Sequence, residues 1–326
     1  MNKRIISNGK GIPSPFWVIV NKEIADTVRS WRFIILISIM ILTCLGSLYT
    51  ALSNFSSAVG VNNPEGSFFF LKLFTISDGT LPSFIVFISF LGPLLGISLG
   101  FDSINSEHNK GTLSRVLSQP IYRDYLLNAK FVSAIIVLSI LFFALTFLVL
   151  GFGLIFIGIP PTSEEFLRII FFTIVSIVYV AFWLNLSILF SVKFRQSATS
   201  ALAGISIWLF FSVFYNMIVN LIGKAIEPTR IISDSQIINF QRFMQNIARL
   251  NPGQLFSDST TTLLVPSVRS LGPLTMEQMM GAIPSPLPLG QSLLLVWPQA
   301  TALIAGTIVF FAIAYSMFMR REIRSR

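Results

Sequence analysis

Six stretches of this chain, each 20 or more residues long, contain no Asp, Glu, Lys or Arg. A helix needs roughly 20 apolar residues to cross the hydrocarbon core of a bilayer, which is about 30 Å thick. Lipid offers no hydrogen bonds to the backbone, so segments that cross it form helices. The sequence therefore predicts an all-α membrane protein with six transmembrane helices, at residues 33–53, 82–101, 131–157, 169–192, 196–222 and 292–319.

The composition excludes several other classes of protein. Hydrophobic residues make up 53% of the 326 positions and charged residues 11%, whereas about 25% of an average soluble chain is charged. Cys44 and His108 are the only residues of their types, which excludes a disulfide framework, a Cys/His zinc site and a histidine-based nucleophile. We therefore expect a non-catalytic chain that binds neither a metal nor a cofactor. The basic residues behind the net charge of +9 lie beside apolar segments, so we expect contact with lipid and not with nucleic acid.

The chain also lacks the groups that would let it power transport by itself. A proton relay depends on ionisable groups at membrane depth, and the six stretches contain no acidic or basic residue. Asn185, Asn216 and backbone carbonyls remain as candidate ion ligands. The phosphate-binding pattern G-x-x-x-x-G-K-[ST] is absent, so ATP hydrolysis would have to take place in a partner chain.

The distribution of basic residues predicts that both ends of the chain are cytoplasmic. Cytoplasmic flanks of membrane helices collect Lys and Arg. With the N-terminus inside, 16 of the 23 basic residues fall on the cytoplasmic side. Five of the other seven lie in one long loop, where the rule carries little weight.

This topology divides the chain into five parts. They are a cytoplasmic N-terminus (1–32), spans one to five (33–222) with a cytoplasmic loop (102–130), an extracytoplasmic subdomain (223–291), span six (292–319) and a basic cytoplasmic tail (320–326).

An amphipathic helix is predicted just before the first span. Five apolar residues follow one another at steps of three or four, as on one face of a helix, while Lys22, Asp26 and Arg29 share the opposite face. The apolar residues are Trp17, Val20, Ile24, Val28 and Trp31. Such a helix lies in the membrane interface, either as a moving part or simply as an anchor that sets the topology.

The loop 102–130 is predicted to contain a short helix between two hinges. Gly111 interrupts a polar stretch, and Leu113, Val116 and Leu117 then form an apolar stripe. Pro120 ends the helix because it lacks an N–H and clashes with the preceding turn. From the pattern alone, this segment is either a coupling element for a partner or an ordinary ordered loop.

Two segments resemble the ABC-2 type permeases, the membrane-spanning subunits of ATP-binding cassette transporters. The loop matches the signature E-x-x-x-G-T-L-x-x-L-L-S-x-P-x-x-R…K, except for valine at position 116. The matching residues are Glu107, Gly111, Thr112, Leu113, Leu117, Ser118, Pro120, Arg123 and Lys130. The run from Lys22 and Glu23 through Asp26 to Arg29 is similar to the family's N-terminal elbow helix. Within the family, the chain looks most similar to the group that includes the nitrous oxide reductase maturation permease.

The resemblance implies a permease in a prokaryotic cell membrane that couples to separate ATPase subunits. Two permease subunits, identical or sister chains, would form the path, and two cytoplasmic ATPases would bind ATP and Mg beneath them. The apolar stripe, with Glu107, Thr112 and Arg115, would form a coupling helix seated in the ATPase. We expect an exporter, or alternatively a transmitter of ATP-driven motion to an extracytoplasmic partner. A non-ABC scaffold is a weaker third interpretation.

Three further patterns concern helix packing and the outer loops. Gly92, Gly96 and Gly100, with Pro93 beside them, form a small-residue face for packing within the chain or for sliding at a gate. Residues 236–250 are predicted to form a helix in the extracytoplasmic subdomain, which either packs on a second permease or recognises a substrate or partner. The phenylalanine-rich run 68–74 is interpreted as an interfacial anchor. No pattern in the spans identifies a substrate.

Overall fold

The protein is described here from a computed structural model, which describes residues 15–53, 68–77, 81–109, 111, 122–226, 234–272 and 286–320. Within these residues the fold is all-helical, and six helices are long and apolar enough to cross a membrane. The prediction of six spans is confirmed.

The helices are numbered in chain order. They are α1 (Pro15–Val28), α2 (Trp31–Ser53), α3 (Phe69–Thr75), α4 (Phe84–Gly100), α5 (Asn105–Asn109), α6 (Arg123–Ile157), α7 (Ser163–Lys193), α8 (Ser197–Leu209), α9 (Tyr215–Ile226), α10 (Asp234–Ala248), α11 (Pro252–Leu264) and α12 (Leu289–Arg320). A π-helical turn, Phe210–Phe214, joins α8 to α9, and these three segments together form the fifth span. We call the end of the bundle that carries α1 and α5 the elbow end, and the end that carries α3 and α11 the cap end.

Helices α6 and α7 are each at least seven residues longer than the charge-free stretches that predicted them. Helix α6 has 35 residues, about 52 Å at 1.5 Å per residue, and so exceeds the bilayer core. Helix α7 begins at a capping box, in which the Thr162 hydroxyl accepts from the Glu165 N–H and the Glu165 carboxylate accepts from the Thr162 N–H. In α7 this polar cap therefore extends the helix beyond its apolar centre.

Helix α7 is the central element of the bundle. In its most apolar part 67% of the residues are buried, against 17% for the fifth span and 17% for α12. It packs against α3, α4, α6, α8, α11 and α12. Its buried hydroxyl groups are satisfied in place, since Thr173 and Ser176 donate to the carbonyls of Ile169 and Phe172. At these two positions α7 therefore buries small polar residues among six neighbouring helices without leaving a hydroxyl unsatisfied.

The three glycines of α4 lie directly against α7. A Cβ atom at Gly96 would stand 2.6 Å from the Val180 carbonyl oxygen, and one at Gly100 would stand 2.7 Å from the Leu184 carbonyl oxygen. At Gly92 the nearest atom is a Val180 methyl carbon, at 2.9 Å. The contact lies within one chain, which favours the packing interpretation over the sliding gate. Helix α4 continues through Pro93, which is buried in its middle.

Two outer segments differ from the sequence expectation. Residues 69–75 form the short helix α3, and its Phe70 and Phe74 are buried with 2% and 0% exposure. The interpretation of this run as an interfacial anchor is therefore wrong: the Phe74 ring packs edge-on against Phe84 and Phe172 in the core.

In the subdomain at the cap end, the helix predicted at 236–250 is present as α10. The second helix, α11, was not predicted. The sequence Asn251-Pro252-Gly253 ends α10, but Asn251 also caps α11 by accepting from the Gly253 N–H at 2.8 Å, and Pro252 occupies its first turn.

We predict that Gly96→Ala destabilises the bundle by roughly 1–3 kcal/mol, the usual range for overpacking, because the added methyl group meets backbone atoms of α7 that cannot rotate away. Gly151→Ala is the matched control, since a Cβ there meets nothing within 4 Å. It should leave stability unchanged or raise it by about 0.5–1 kcal/mol. Thermal unfolding of both variants in one detergent measures the difference, and equal midpoints would contradict the packing argument.

Candidate functional site

A buried lysine joins three elements at the elbow end. The Lys130 Nζ atom in α6 lies 2.9 Å from a Glu23 carboxylate oxygen in α1 and 2.8 Å from a Glu107 carboxylate oxygen in α5. The three side chains are 7%, 13% and 14% exposed, in that order. We call this cluster the elbow junction. It connects the N-terminal helix, the start of the loop 102–130 and the third span.

The electrostatics of the junction depend on mutual neutralisation. Burial disfavours the charged form of Glu23, but the charge and hydrogen bond of Lys130, helped by Lys22, outweigh this and lower the pKa of the Glu23 carboxyl from its ordinary 4.5. The Glu23 carboxylate therefore stabilises the fold fully above its ordinary pKa, and this contribution is lost as the pH falls through the lowered value. Removing the lysine would leave two carboxylates facing each other.

The polar segment that leads from α4 into α5 is held by α7 and α8. The Ser191 hydroxyl accepts from the backbone N–H groups of Ile104 at 2.9 Å and of Asn105 at 3.2 Å. The Asn105 side-chain oxygen in turn accepts from the Ser197 hydroxyl at 2.9 Å. The Asn109 amide donates to the Arg195 carbonyl at 3.1 Å. A displacement of this segment would therefore act on the fourth and fifth spans as well as on α1 and α6.

Two arginines complete the connections at the elbow end. Arg32, at the start of α2, pairs with Asp102 after α4 and lies over the Phe101 ring at 5.0 Å. Arg123, at the start of α6, donates to the Phe318 carbonyl near the end of α12 at 2.8 Å and stacks on the Phe318 ring at 5.2 Å. With these contacts, each of the six spans is linked to another span at the elbow end, either by a side-chain contact or by the connecting chain.

The structure places some of the predicted coupling residues and not others. Glu107 lies in the elbow junction, and Arg123 contacts Phe318 in the last turn of α12. Gly111 has φ +67°, a left-handed conformation that favours glycine and suits a hinge. The remaining predicted residues, Thr112, Leu113, Arg115, Val116, Leu117 and Pro120, lie outside the described residues.

The predicted elbow residues all lie in or next to α1, on different faces. Trp17 is half exposed and Arg29 is exposed. Lys22 pairs with Glu23 and Asp26 at 2.9 Å each, on the exposed side of the helix. Glu23 points inward to Lys130. The face of α1 that contacts the bundle is therefore not purely apolar, because a carboxylate lies within it.

A second polar cluster lies at the cap end, where Arg168 of α7 is completely buried. Its guanidinium pairs with Glu164 at 2.8 Å and donates to the Leu263 carbonyl of α11 at 3.0 Å, to the Ser292 hydroxyl of α12 at 3.1 Å and to the Leu287 carbonyl. Five N–H donors in a planar fork suit such a multiple contact. Arg168 therefore ties α11 to both the fourth and the sixth span.

Several of these residues were not singled out from the sequence. Lys130 was recognised only as the last residue of the signature, and Arg32, Asp102, Ser191 and Arg168 were not selected. Charges at the edge of an apolar run usually contact water or lipid headgroups, and no local pattern shows which of them meet across 70 or more residues of chain. Within the described residues, no group of three or more His, Cys, Asp or Glu side chains is placed to hold a metal ion.

Six apolar helices with charged clusters near both ends define a multi-pass membrane protein, and sequence comparison specifies which kind. The family model of the ABC-2 family transporter proteins matches residues 17–323. The chain belongs to this family.

Two relatives are both described as a "Probable ABC transporter permease protein NosY". The one from Pseudomonas aeruginosa is 26% identical over 316 residues, which cover 94% of this chain and 98% of the relative. The one from Stutzerimonas stutzeri is 24% identical over 213 residues, which cover 62% and 68%. The resemblance stated from the loop and elbow motifs is confirmed.

We predict that Lys130→Met destabilises the protein by roughly 3–5 kcal/mol, the cost of removing one partner from a buried ion cluster. Lys22→Met is the control, because the Lys22 side chain is 59% exposed and its surface pairs contribute little. Thermal unfolding at neutral pH measures both variants. If the two substitutions had equal effects, the elbow junction would not be a structural link.

Proposed function

We propose that this chain is the permease subunit of an ABC-2 type exporter, and that the elbow junction transmits the motion of a separate ATPase to the spans. The observation that carries the proposal is the contact of one buried lysine, Lys130, with both Glu23 and Glu107. Glu107 begins the signature that resembles a coupling helix, and Glu23 belongs to the helix that resembles the elbow. Family membership supports an ATPase partner in general.

In this proposal the elbow end faces the cytoplasm of a prokaryotic cell and both chain termini lie there. Two ABC ATPase subunits bind ATP and Mg and dock under a pair of permease chains, which are identical or sister chains. Leu113, Val116 and Leu117 provide the apolar contact with the ATPase, and Arg115 orients it. The chain itself performs no catalysis.

The coupling segment is suited to moving as one piece. Gly111 provides a hinge on one side, and Pro120 ends the predicted helix on the other. Because only four positions separate Glu107 from Gly111, a displacement of the coupling helix as a whole would pull on Lys130 and thus on α1 and α6. The polar contacts of Ser191 and Asn105 pass the same displacement to α7 and α8.

A continuous route then leads from the elbow end to the extracytoplasmic subdomain 223–291. Helix α7 (Ser163–Lys193) runs the whole way, and near its N-terminus at the cap end it carries Arg168, which holds α11 and the start of α12. The Tyr179 ring stacks on Phe256 of α11 with centroids 4.4 Å apart. This route serves the opening of an export path, and it would equally serve transmission of motion to an extracytoplasmic partner.

Accessibility of introduced cysteines tests the orientation. In a Cys44→Ser background, Asn246→Cys in α10 should react with a membrane-impermeant maleimide added to intact cells, whereas Asn21→Cys in α1 should react only after the cells are opened. Both asparagines are exposed on helices, so they form a matched pair. The reverse pattern would place the elbow end outside and would overturn the proposed topology.

Copurification tests the coupling. With an ABC-type ATPase from the same organism that copurifies with the unaltered chain, the chain carrying Leu113→Asp and Leu117→Asp should lose the complex and the ATPase stimulation, because charges replace the apolar contact. The matched control, Ser114→Asp with Ser118→Asp, places the same charges on the other face of the predicted helix and should retain the complex. If both double variants bind equally well, the coupling assignment is wrong.

A further inference from the structure

A cavity of about 690 Å³ lies at the elbow end, between α1, α2, α4 and α6. Its innermost lining is formed by Lys130, Ser133 and Ala134 of α6, which are all buried. Side chains of α1 and of the segment 102–107 line it on either side. The volume is within the range of small-molecule sites, roughly 300–1,000 Å³.

The charges that line this cavity do not balance. Among the described residues of the lining, four carboxylates face three basic groups: Glu23, Asp26, Asp102 and Glu107 against Lys22, Arg32 and Lys130. Arg32 pairs with Asp102, which leaves two lysines to be shared by three carboxylates. Two of these three, Glu23 and Glu107, are only 13% and 14% exposed. Because an uncompensated charge is costly where water is largely excluded, the cavity favours a ligand with a positively charged group.

A hydroxyl group in the lining lacks a hydrogen-bond partner. The Ser103 hydroxyl oxygen is buried and makes no hydrogen bond within the described part of the chain. Buried polar groups usually find a partner, and a hydroxyl oxygen accepts from N–H donors as carboxylates do. A cation with N–H groups therefore fits this lining better than a quaternary ammonium, which has none.

The exposed part of the lining is suited to the surface of a membrane. Trp31 is 78% exposed there, and tryptophan is enriched at the interface between membrane and water. Arg32, beside it, is 61% exposed, and a guanidinium matches the geometry of a phosphate. The exposed apolar residues of α2 begin directly after them, at Ile34 and Ile35. A molecule that enters the cavity from this side meets a basic group at the opening and apolar surface next to it.

We infer that the cavity binds the head group of one phospholipid that carries a primary ammonium, such as phosphatidylethanolamine. The ammonium donates to the Asp102 carboxylate and the Ser103 hydroxyl, the phosphate lies against Arg32, and the acyl chains follow the exposed apolar face of α2. The ion pair of Arg32 with Asp102 is thus complementary to the zwitterion. The inference goes beyond the permease proposal, because it requires only that the elbow end lies at a membrane surface, on either side of the membrane.

Native mass spectrometry of the full-length chain in detergent tests the inference, with three phospholipids that have identical acyl chains. We expect phosphatidylethanolamine to bind saturably, one molecule per chain. Phosphatidylcholine, whose ammonium has no N–H, and phosphatidylglycerol, which has no cation, should bind at least tenfold more weakly.

Free phosphoethanolamine distinguishes a lipid from a soluble amine, since it has the same head group without acyl chains. We expect it to show no saturable binding at the concentrations that saturate the lipid. If it binds as tightly as the lipid, the site takes a soluble amine and the lipid assignment is wrong.

Substitutions in the lining test the assigned contacts. Asp102→Asn should weaken phosphatidylethanolamine binding about 10-fold, as expected for a lost hydrogen bond to a charged group, and should reduce the preference over phosphatidylcholine. Ser103→Ala should weaken binding about 3- to 10-fold. Asp124→Asn is the matched control and should leave the affinity unchanged, because Asp124 lies at the same end, in the first turn of α6, but does not line the cavity.

Filling the cavity provides a further test. Ser98→Phe should abolish lipid binding, and Ser106→Phe replaces it if Ser98→Phe lowers the thermal midpoint. Absence of saturable phosphatidylethanolamine binding, equal binding of phosphatidylcholine, or binding that none of the cavity variants changes would overturn the inference. The assay contains no ATPase, so its failure would leave the permease proposal standing, and failure of the coupling test would leave the lipid site standing.

Discussion

The close approach of α4 to α7 is the contact on which the rest of the structure depends. In lipid, helices associate through van der Waals packing and not through the hydrophobic effect, so glycines that bring backbones together are especially effective. Gly92, Gly96 and Gly100 place α4 directly on α7. At this distance the Ser187 hydroxyl reaches the Ile97 carbonyl at 3.0 Å, and Tyr179 reaches Ser89. The same approach carries the end of α4 to Ser191 and brings Glu107 within reach of Lys130.

The charges that matter lie at the two ends of the bundle. Lys130 at the elbow end and Arg168 at the cap end are both buried, and both are surrounded by acceptors from other elements. Placing such groups near the helix ends avoids the cost of charge at membrane depth and still lets each one hold several helices. Helices α6 and α7 start from opposite ends and share a contact in the half nearer the cap end, where the hydroxyls of Thr146 and Thr173 lie 2.9 Å apart. The bundle is therefore held by polar contacts at both ends and by one between them.

Local sequence patterns are sufficient to predict the spans and two of the amphipathic helices. The six spans follow from charge-free length alone, and α1 and α10 follow from apolar residues at steps of three and four. The run 68–74 was interpreted wrongly because exposed and buried phenylalanines look identical in a sequence. Helix α11 was overlooked because Asn251-Pro252, which was interpreted as the end of α10, also forms the N-terminus of α11.

The sequence by itself determined that this is an all-helical membrane protein of six spans and, through the signature beginning at Glu107, which family it resembles. These properties depend on composition, period and spacing, all of which are local. Only the tertiary structure decided that Glu23 and Glu107 share Lys130, that Arg168 holds α11, and that the glycines of α4 face α7. Each of these depends on which helix faces come together. Because the spans are apolar on most sides, hydrophobic periodicity carries little of that information, and close packing and buried polar contacts decide it.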